Sequence, residues 1–310
     1  MSNFHDFVCF DMILRNEWHQ FAVQEEAPLS SEELEGIKSL NDAISLQDVQ
    51  EVYMPITHLI EVYRQNYKSL SVTKGLFLHR FLQVPSFIIG ISGSVAVGKS
   101  TIARLLQKLL SRTFQRLKVE LITTDGFLYS NTELNKRNLI ERKGFPESYD
   151  MAKMLNFLRN VKAGEKEVSS PIYSHEIYDI VDGEKIILNR PDILVVEGIN
   201  VFQLPQNQKI YVSDFFDFSI YVDAEEKMIK TWYLERFEQL LEYAKEKKDN
   251  FYYEYSRWPR AKAIKEALKV WENVNLVNLK NYILPTRSRA DVILHKGLNH
   301  VIDKLYLRRY

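Results

Sequence analysis

Residues 93–100 read GSVAVGKS, the spacing G-x-x-x-x-G-K-[ST]. Each residue type has a chemical reason. Gly93 and Gly98 let the backbone curl, so that the N–H groups of Ser94, Val95, Ala96 and Val97 turn inward toward phosphate oxygens. A helix starting near Lys99 adds the positive end of its dipole. Lys99 offers a charge to the outer phosphates, the Ser100 hydroxyl is a ligand for Mg²⁺, and Thr101 continues the grip. Two carboxylates complete the chemistry. Asp125 and Glu197 each end a short apolar run and precede a glycine, Gly126 and Gly198. Ligands of an open α/β sheet bind outside the carboxyl ends of its strands, so both should face the phosphates. Phosphoryl transfer to an alcohol needs one group to take the hydroxyl proton and another beside Mg²⁺. Asp125 suits the first task and Glu197 the second. The alternatives are a helix-capping Asp125 and a Glu197 that only braces the loop.

Other chemistries fit less well. A guanine-reading N-K-x-D is missing, since residues 135–138 read NKRN. A GTPase switch is therefore not expected, and the loop is read as the ATP grip of a kinase. The seven histidines and the one cysteine, Cys9, show no zinc-ligand spacing. Residues 90–94 (GISGS) lack the last glycine of a nucleophile elbow.

These residues need elements to hold them. Short apolar runs at 87–91, 119–123, 193–196, 218–222 and 292–294 alternate with longer helix-compatible stretches. That texture predicts a parallel sheet covered on both faces. Ile102, Leu105, Leu106, Leu109 and Leu110 give the segment after the loop one apolar helical face, completing the order strand, loop, helix. Residues 1–80 read as helical, with capping boxes at Ser30/Glu33 and Ser45/Asp48 and an apolar face from Val49 through Val52, Ile56 and Ile60 to Tyr63. The expected architecture is α/β: a P-loop NTPase-type parallel sheet flanked by helices, with an N-terminal helical extension over 1–80. The core would span 81–310, carry a lid or substrate segment at about 225–285, and form one compact unit. Aromatics Phe251, Tyr252, Tyr253, Tyr255 and Trp258 either pack between two helices or wall a ligand.

Composition bounds the rest. Forty-five per cent of residues are hydrophobic and 26% charged, with Lys+Arg and Asp+Glu balanced at 41 each. No global field steers this chain to nucleic acid or an anionic membrane. The start lacks the basic and apolar regions of a signal peptide, and no run approaches a membrane span. One cysteine suits a reducing compartment, so a cytoplasmic location is expected.

Further motifs carry a resemblance. GSVAVGKST (93–101), LITTDGF (121–127), KGFPESYDM (143–151), PIYSHEIYD (171–179), PDILVVEGINV (191–201), SDFFDFSIYVDA (213–224) and NYILPTRSRA (281–290) together resemble the bacterial type I pantothenate kinases. Uridine kinases and phosphoribulokinases are similar in loop and core, but not in the whole set. The resemblance implies ATP-dependent phosphorylation of the primary hydroxyl of pantothenate, the first step of coenzyme A synthesis. It also implies a homodimer and feedback inhibition by coenzyme A in competition with ATP. By position it implies Asp125 as base and Arg236 on the transferring phosphoryl group. Tyr173, His175, Tyr178, Tyr233 and Asn275 would contact pantothenate. Arg104 and His175 would contact the inhibitor, and Asn41 and His300 would flank adenine. Leu240, Lys245 and Tyr252 stand where better-known members carry phenylalanines, which implies a different pocket for the thiol end of the inhibitor.

Two other readings remain open on the residues alone. A P-loop kinase for another alcohol, such as uridine or a sugar phosphate, would use a basic cluster; Arg137, Arg142 and Lys143 are candidates, and equally a solvated face. A regulator that binds ATP without transferring it would need no base.

Overall fold

The computed structural model describes residues 7–22, 28–39, 42–80, 83–203 and 210–310. Five runs form parallel strands: β2 (Phe87–Gly93), β3 (Val119–Thr123), β6 (Ile193–Glu197), β7 (Phe218–Ala224) and β8 (Val292–Lys296). Their order is β3-β6-β2-β7-β8, continued by antiparallel β9 (Ile302–Arg308) and β1 (Phe10–Leu14). Phe87, Ile88, Ile89 and Ile91 of β2 are all at most 2% exposed, so both faces of the central strand are covered. Each such side chain contributes roughly 1.5–3 kcal/mol relative to leaving it in water.

The helix Lys99–Thr113 packs on β2, β3 and β6 through Ile102, Leu105, Leu106, Leu109 and Leu110, all fully buried. Both capping boxes form: Ser30 and Ser45 each accept a bond from the backbone N–H three residues on. The apolar face that starts at Val49 begins in a π-turn (Val49–Tyr53) and continues into the long helix Met54–Phe77.

The region before residue 80 is not helical throughout. Phe10–Leu14 is an edge strand paired antiparallel with β9, in register Phe10↔Arg308 to Leu14↔Lys304. Only Phe10 is buried in FDMIL, and its partner lies almost 300 residues away, so no local periodicity signals the pairing.

Two further parts border the sheet's carboxyl ends. The antiparallel hairpin β4 (Val168–Ser174) and β5 (Asp179–Leu188) carries an irregularity between Pro171 and Tyr173. The helices Glu226–Ala244 and Arg260–Val270 enclose a small core of their own, built on Phe237, Ala263 and Ala267.

Candidate active site

The sheet brings the chemistry to one edge. Ile91 pairs with Glu197 and Thr123 pairs with Glu197, so the ends of β2, β3 and β6 lie level. The loop after β2 turns through positive φ at Gly93 (149°), Ala96 (59°) and Gly98 (86°), the alternation that aims successive N–H groups inward. At Gly93 a Cβ would fall 2.5 Å from the Val222 carbonyl, so the close approach to β7 also demands glycine.

Lys99 caps this cradle. Its Nζ donates to the Ser94 carbonyl at 2.7 Å and lies 3.8 Å from Glu197 Oε1. Ser100 Oγ donates to Glu197 Oε2 at 3.1 Å. Lys99 and Glu197 are 7% and 5% exposed. Burial lowers the Lys99 pKa and raises that of Glu197, and their mutual attraction opposes both shifts. Ser100 and Glu197 thus form a compact oxygen pair suited to a hard cation that takes its remaining ligands from phosphates and water.

Asp125 sits in a 3-10 turn, Thr124–Phe127, directly after β3. Its Oδ1 accepts a bond from Tyr149 Oη at 3.4 Å, and its Oδ2 lies 3.9 Å from His175 Nε2. The carboxylate stays 29% exposed to the cleft. Desolvation within the cleft lowers the His175 pKa; Asp125 opposes that shift, and Arg236, Lys99 and Lys143 add to it. The imidazole itself is 61% exposed.

Aromatic side chains wall the other side. Tyr173 meets His175 edge-on at 5.2 Å and Tyr178 at 6.2 Å, and Phe251 stacks on Tyr178 at 4.5 Å. The segment over 250–258 packs against the two flanking helices and also touches the hairpin. Phe251 reaches the hairpin, while Tyr252 and Trp258 pack with the Phe237 cluster. Burial raises the pKa of Tyr173 and Tyr178 well above the ordinary phenol value, so both stay hydrogen-bond donors. Burial raises the Tyr233 pKa and the neighbouring Asn275 side chain opposes that shift; Arg236, one turn along the same helix, lines the cleft with Ser39, Asp42, Gly98, Lys99 and Ser100.

Other candidates are placed differently. Arg104 is turned toward the N-terminal extension: it donates to the Ile37 carbonyl, to Ser39 Oγ and to Thr101 Oγ1. Thr101 Oγ1 in turn bonds to Asp42 and Ser39, so the extension is laced to the start of the P-loop helix. His300 stacks on Trp232 at 4.1 Å; burial, then nearby Lys296, pulls its pKa down to about 4. Asn41 lies outside the described residues. Arg137 pairs with Glu133 and Arg142 with Glu147 on the surface. Lys143 leaves that group and lies under Tyr173 and Tyr178, donating to Asn131 Oδ1 and the Tyr178 carbonyl. Burial pushes its pKa down to about 8.

Two buried groups at the cradle had no signal in the sequence. Lys296 ends β8 with no exposed surface; it donates to the Val97 carbonyl at 2.9 Å and lies 4.0 Å from Asp42 Oδ1. Its position at a strand end is legible, but its depth and its acidic partner come from contacts nearly 200 and 250 residues away. A larger cleft, lined by Tyr67, Lys162 and Asp192, opens at the amino ends of β2 and β6, remote from these groups.

Comparison with known proteins adds independent findings. Residues 88–239 match the family model described as the phosphoribulokinase/uridine kinase family. A pantothenate kinase of Enterococcus faecalis is 59% identical over 298 residues, 96% of this chain and 97% of the relative. One of Lactococcus lactis subsp. lactis is 56% identical over 306 residues, 99% and 100% of the two chains. Among solved structures, a D-glycerate 3-kinase from Cryptococcus neoformans superposes with a TM-score of 0.57 at 13% identity, covering 80% of this chain and 96% of that one. A putative fructose transport system kinase from Silicibacter superposes at 0.53 with 19% identity, covering 70% and 93%. At such identities the superpositions speak to the fold alone.

Proposed function

The chain belongs to the pantothenate kinase family, and from that premise we propose that it transfers the γ-phosphoryl group of ATP to the primary hydroxyl of pantothenate, the entry step of coenzyme A synthesis. The observation that carries the reading is the convergence of Lys99, Glu197 and Asp125 at the level ends of β2, β6 and β3. The N–H groups of residues 93–100 and Lys99 bind the phosphates. Ser100 and Glu197 would hold Mg²⁺, which when bound neutralises charge on the phosphate oxygens. The hydroxyl oxygen of pantothenate bonds to the γ-phosphorus as the bond to the ADP oxygen breaks, and the hydroxyl proton passes to Asp125. Arg236 offsets charge on the transferring group.

Tyr173, His175, Tyr178, Tyr233 and Asn275 orient the acceptor. They offer neutral donors and acceptors matched to its hydroxyl and amide groups. His300 and Asn41 flank adenine; one face of the His300 ring already rests on Trp232. Coenzyme A shares the cleft and competes with ATP through Arg104 and His175, so raising ATP relieves inhibition. The protein acts as a cytoplasmic homodimer. Among the described residues no helix is long and apolar enough to cross a membrane.

A coupled assay of ADP release with a panel of alcohols tests the substrate. Pantothenate should support turnover, while uridine, glycerate and ribulose 5-phosphate give background rates. Turnover with one of those three and none with pantothenate would overturn the assignment.

A further inference from the structure

The run KGFPESYD over 143–150 is specific in sequence, yet none of the roles above uses most of it. The structure makes it a brace. At its start Gly144 takes φ of 90°, and its carbonyl accepts bonds from Asn200 Nδ2 at 2.9 Å and Asn278 Nδ2 at 2.8 Å. Those amides come from the loop after β6 and from the segment before β8, and both asparagines are at most 4% exposed. At its end Asp150 caps the helix Met151–Lys162 by accepting from the Lys153 N–H.

Between these anchors the run is tied to the turn that carries Asp125. The Asp150 N–H donates to the Phe127 carbonyl at 2.7 Å, and the Tyr129 N–H to the Ser148 carbonyl at 2.9 Å. Leu128 and Tyr149 form an antiparallel bridge. The base and the brace are thus locked backbone to backbone within four residues of Asp125. Tyr149 is itself 3% exposed, and its hydroxyl donates to Asp125 Oδ1 at 3.4 Å. Oδ2 points the other way, toward His175 and the open cleft.

We propose that Tyr149 is a positioning residue for the reaction: its buried hydroxyl holds Oδ1 of Asp125, so that Oδ2 alone faces the acceptor hydroxyl. This rests on Asp125 being the base. A carboxylate free to rotate would present either oxygen at a range of angles, and reaction geometry is sensitive to displacements of about 1 Å. A phenol suits the task because its burial keeps it protonated: desolvation and the neighbouring Asp125 charge both raise its pKa far above the ordinary value. It therefore stays a donor toward Oδ1 and does not compete for the proton in transit.

The test is a double-mutant cycle on kcat and KM with the full chain, ATP, Mg²⁺ and pantothenate. Tyr149→Phe keeps the ring and removes one oxygen. It should lower kcat about ten- to a hundredfold while both KM values stay within about twofold. In the Asp125→Asn background the same change should cost less than about twofold, because there is no base left to aim. Tyr149→Phe with unchanged kcat, or with an equal loss in both backgrounds, would overturn the inference while leaving Asp125 as base. Full turnover by Asp125→Asn alone would instead remove the base itself. Tyr149→His, able to donate from a ring nitrogen, is a second variant; recovery of part of the lost kcat supports the donor role, and a loss beyond that of Tyr149→Phe contradicts it.

Discussion

Lys99 and Glu197 lie 3.8 Å apart and are almost wholly withdrawn from water. Neither would be stable there alone, since an unpaired buried charge costs several kcal/mol. They neutralise one another and borrow the Ser94 carbonyl and the Ser100 hydroxyl. Lys99, Ser100 and Glu197 are the groups an incoming triphosphate and cation would engage, so ligand binding exchanges partners rather than creating charge in a dry site. Lys99, Ser100 and Glu197 were legible because motif and strand end mark them. Lys296 and Asp42 were not, because a lysine at a strand end reads as solvated until tertiary packing buries it. His300 gives a pH test at this scale. Its folded pKa of about 4 lies below the ordinary histidine value of about 6.5. Between those values the unfolded chain takes up a proton that the folded one refuses, so this residue's share of stability is present above pH 6.5 and lost as pH falls toward 4. The fall in Tm from pH 6.5 to pH 4.5 should be shallower in His300→Gln than in the parent protein. Parallel curves would contradict the assignment.

The turn after β3 is the element on which the site depends. A Cβ on Gly126 would fall 2.3 Å from the Pro171 carbonyl of β4. One on Gly198 would fall 1.8 Å from Thr124 Oγ1 and 2.8 Å from Thr124 Cβ. Three motifs that are far apart in sequence therefore touch through glycines, and Asp125 sits at the contact. Gly198→Ala must displace the whole buried Thr124 side chain, at a cost of about 1–3 kcal/mol. Thermal denaturation should show a lowered Tm, and kcat should fall with it because the base moves. A variant with the Tm and kcat of the parent would show the contact to be slack. Four of the parallel strands, β2, β6, β7 and β8, were readable because each is an apolar run buried almost throughout, whereas β3, at the side of the sheet, buries only Val119 and Ile122 and was marked by the Asp-Gly pair that follows it. β1, β9 and the β4–β5 hairpin were not. The middle of β5, Asp182–Ile187, is exposed, and β1 buries only Phe10, so neither carries a periodic signal. Their pairing is set by partners elsewhere in the chain.

At the scale of the molecule, one sheet edge is shared by three contributors: the core loops, the two-helix segment with its Phe237 cluster, and the N-terminal extension laced to Thr101. The extension also presents apolar side chains to solvent along the helix Met54–Phe77. Val62 is 64% exposed, Leu70 66%, Leu76 72% and Phe77 82%. Such a row is the kind of surface that a second copy covers. Sedimentation equilibrium should give a dimer for the parent chain and a monomer for Leu70→Glu/Leu76→Glu; a parent monomer at tens of micromolar would contradict the homodimer. The family resemblance was legible over nearly the whole chain because its motifs lie at these shared contacts. Phosphoryl transfer from ATP to pantothenate at these strand ends, with Asp125 taking the proton, is the proposed reaction. The most direct measurement is pantothenate-dependent ADP release by the parent and by Asp125→Ala, with ATP affinity read on the same samples. The parent should turn over, and the variant should lose about 10²–10⁴-fold with ATP affinity largely kept. ADP release that is indifferent to pantothenate, or an Asp125→Ala variant as fast as the parent, would contradict it.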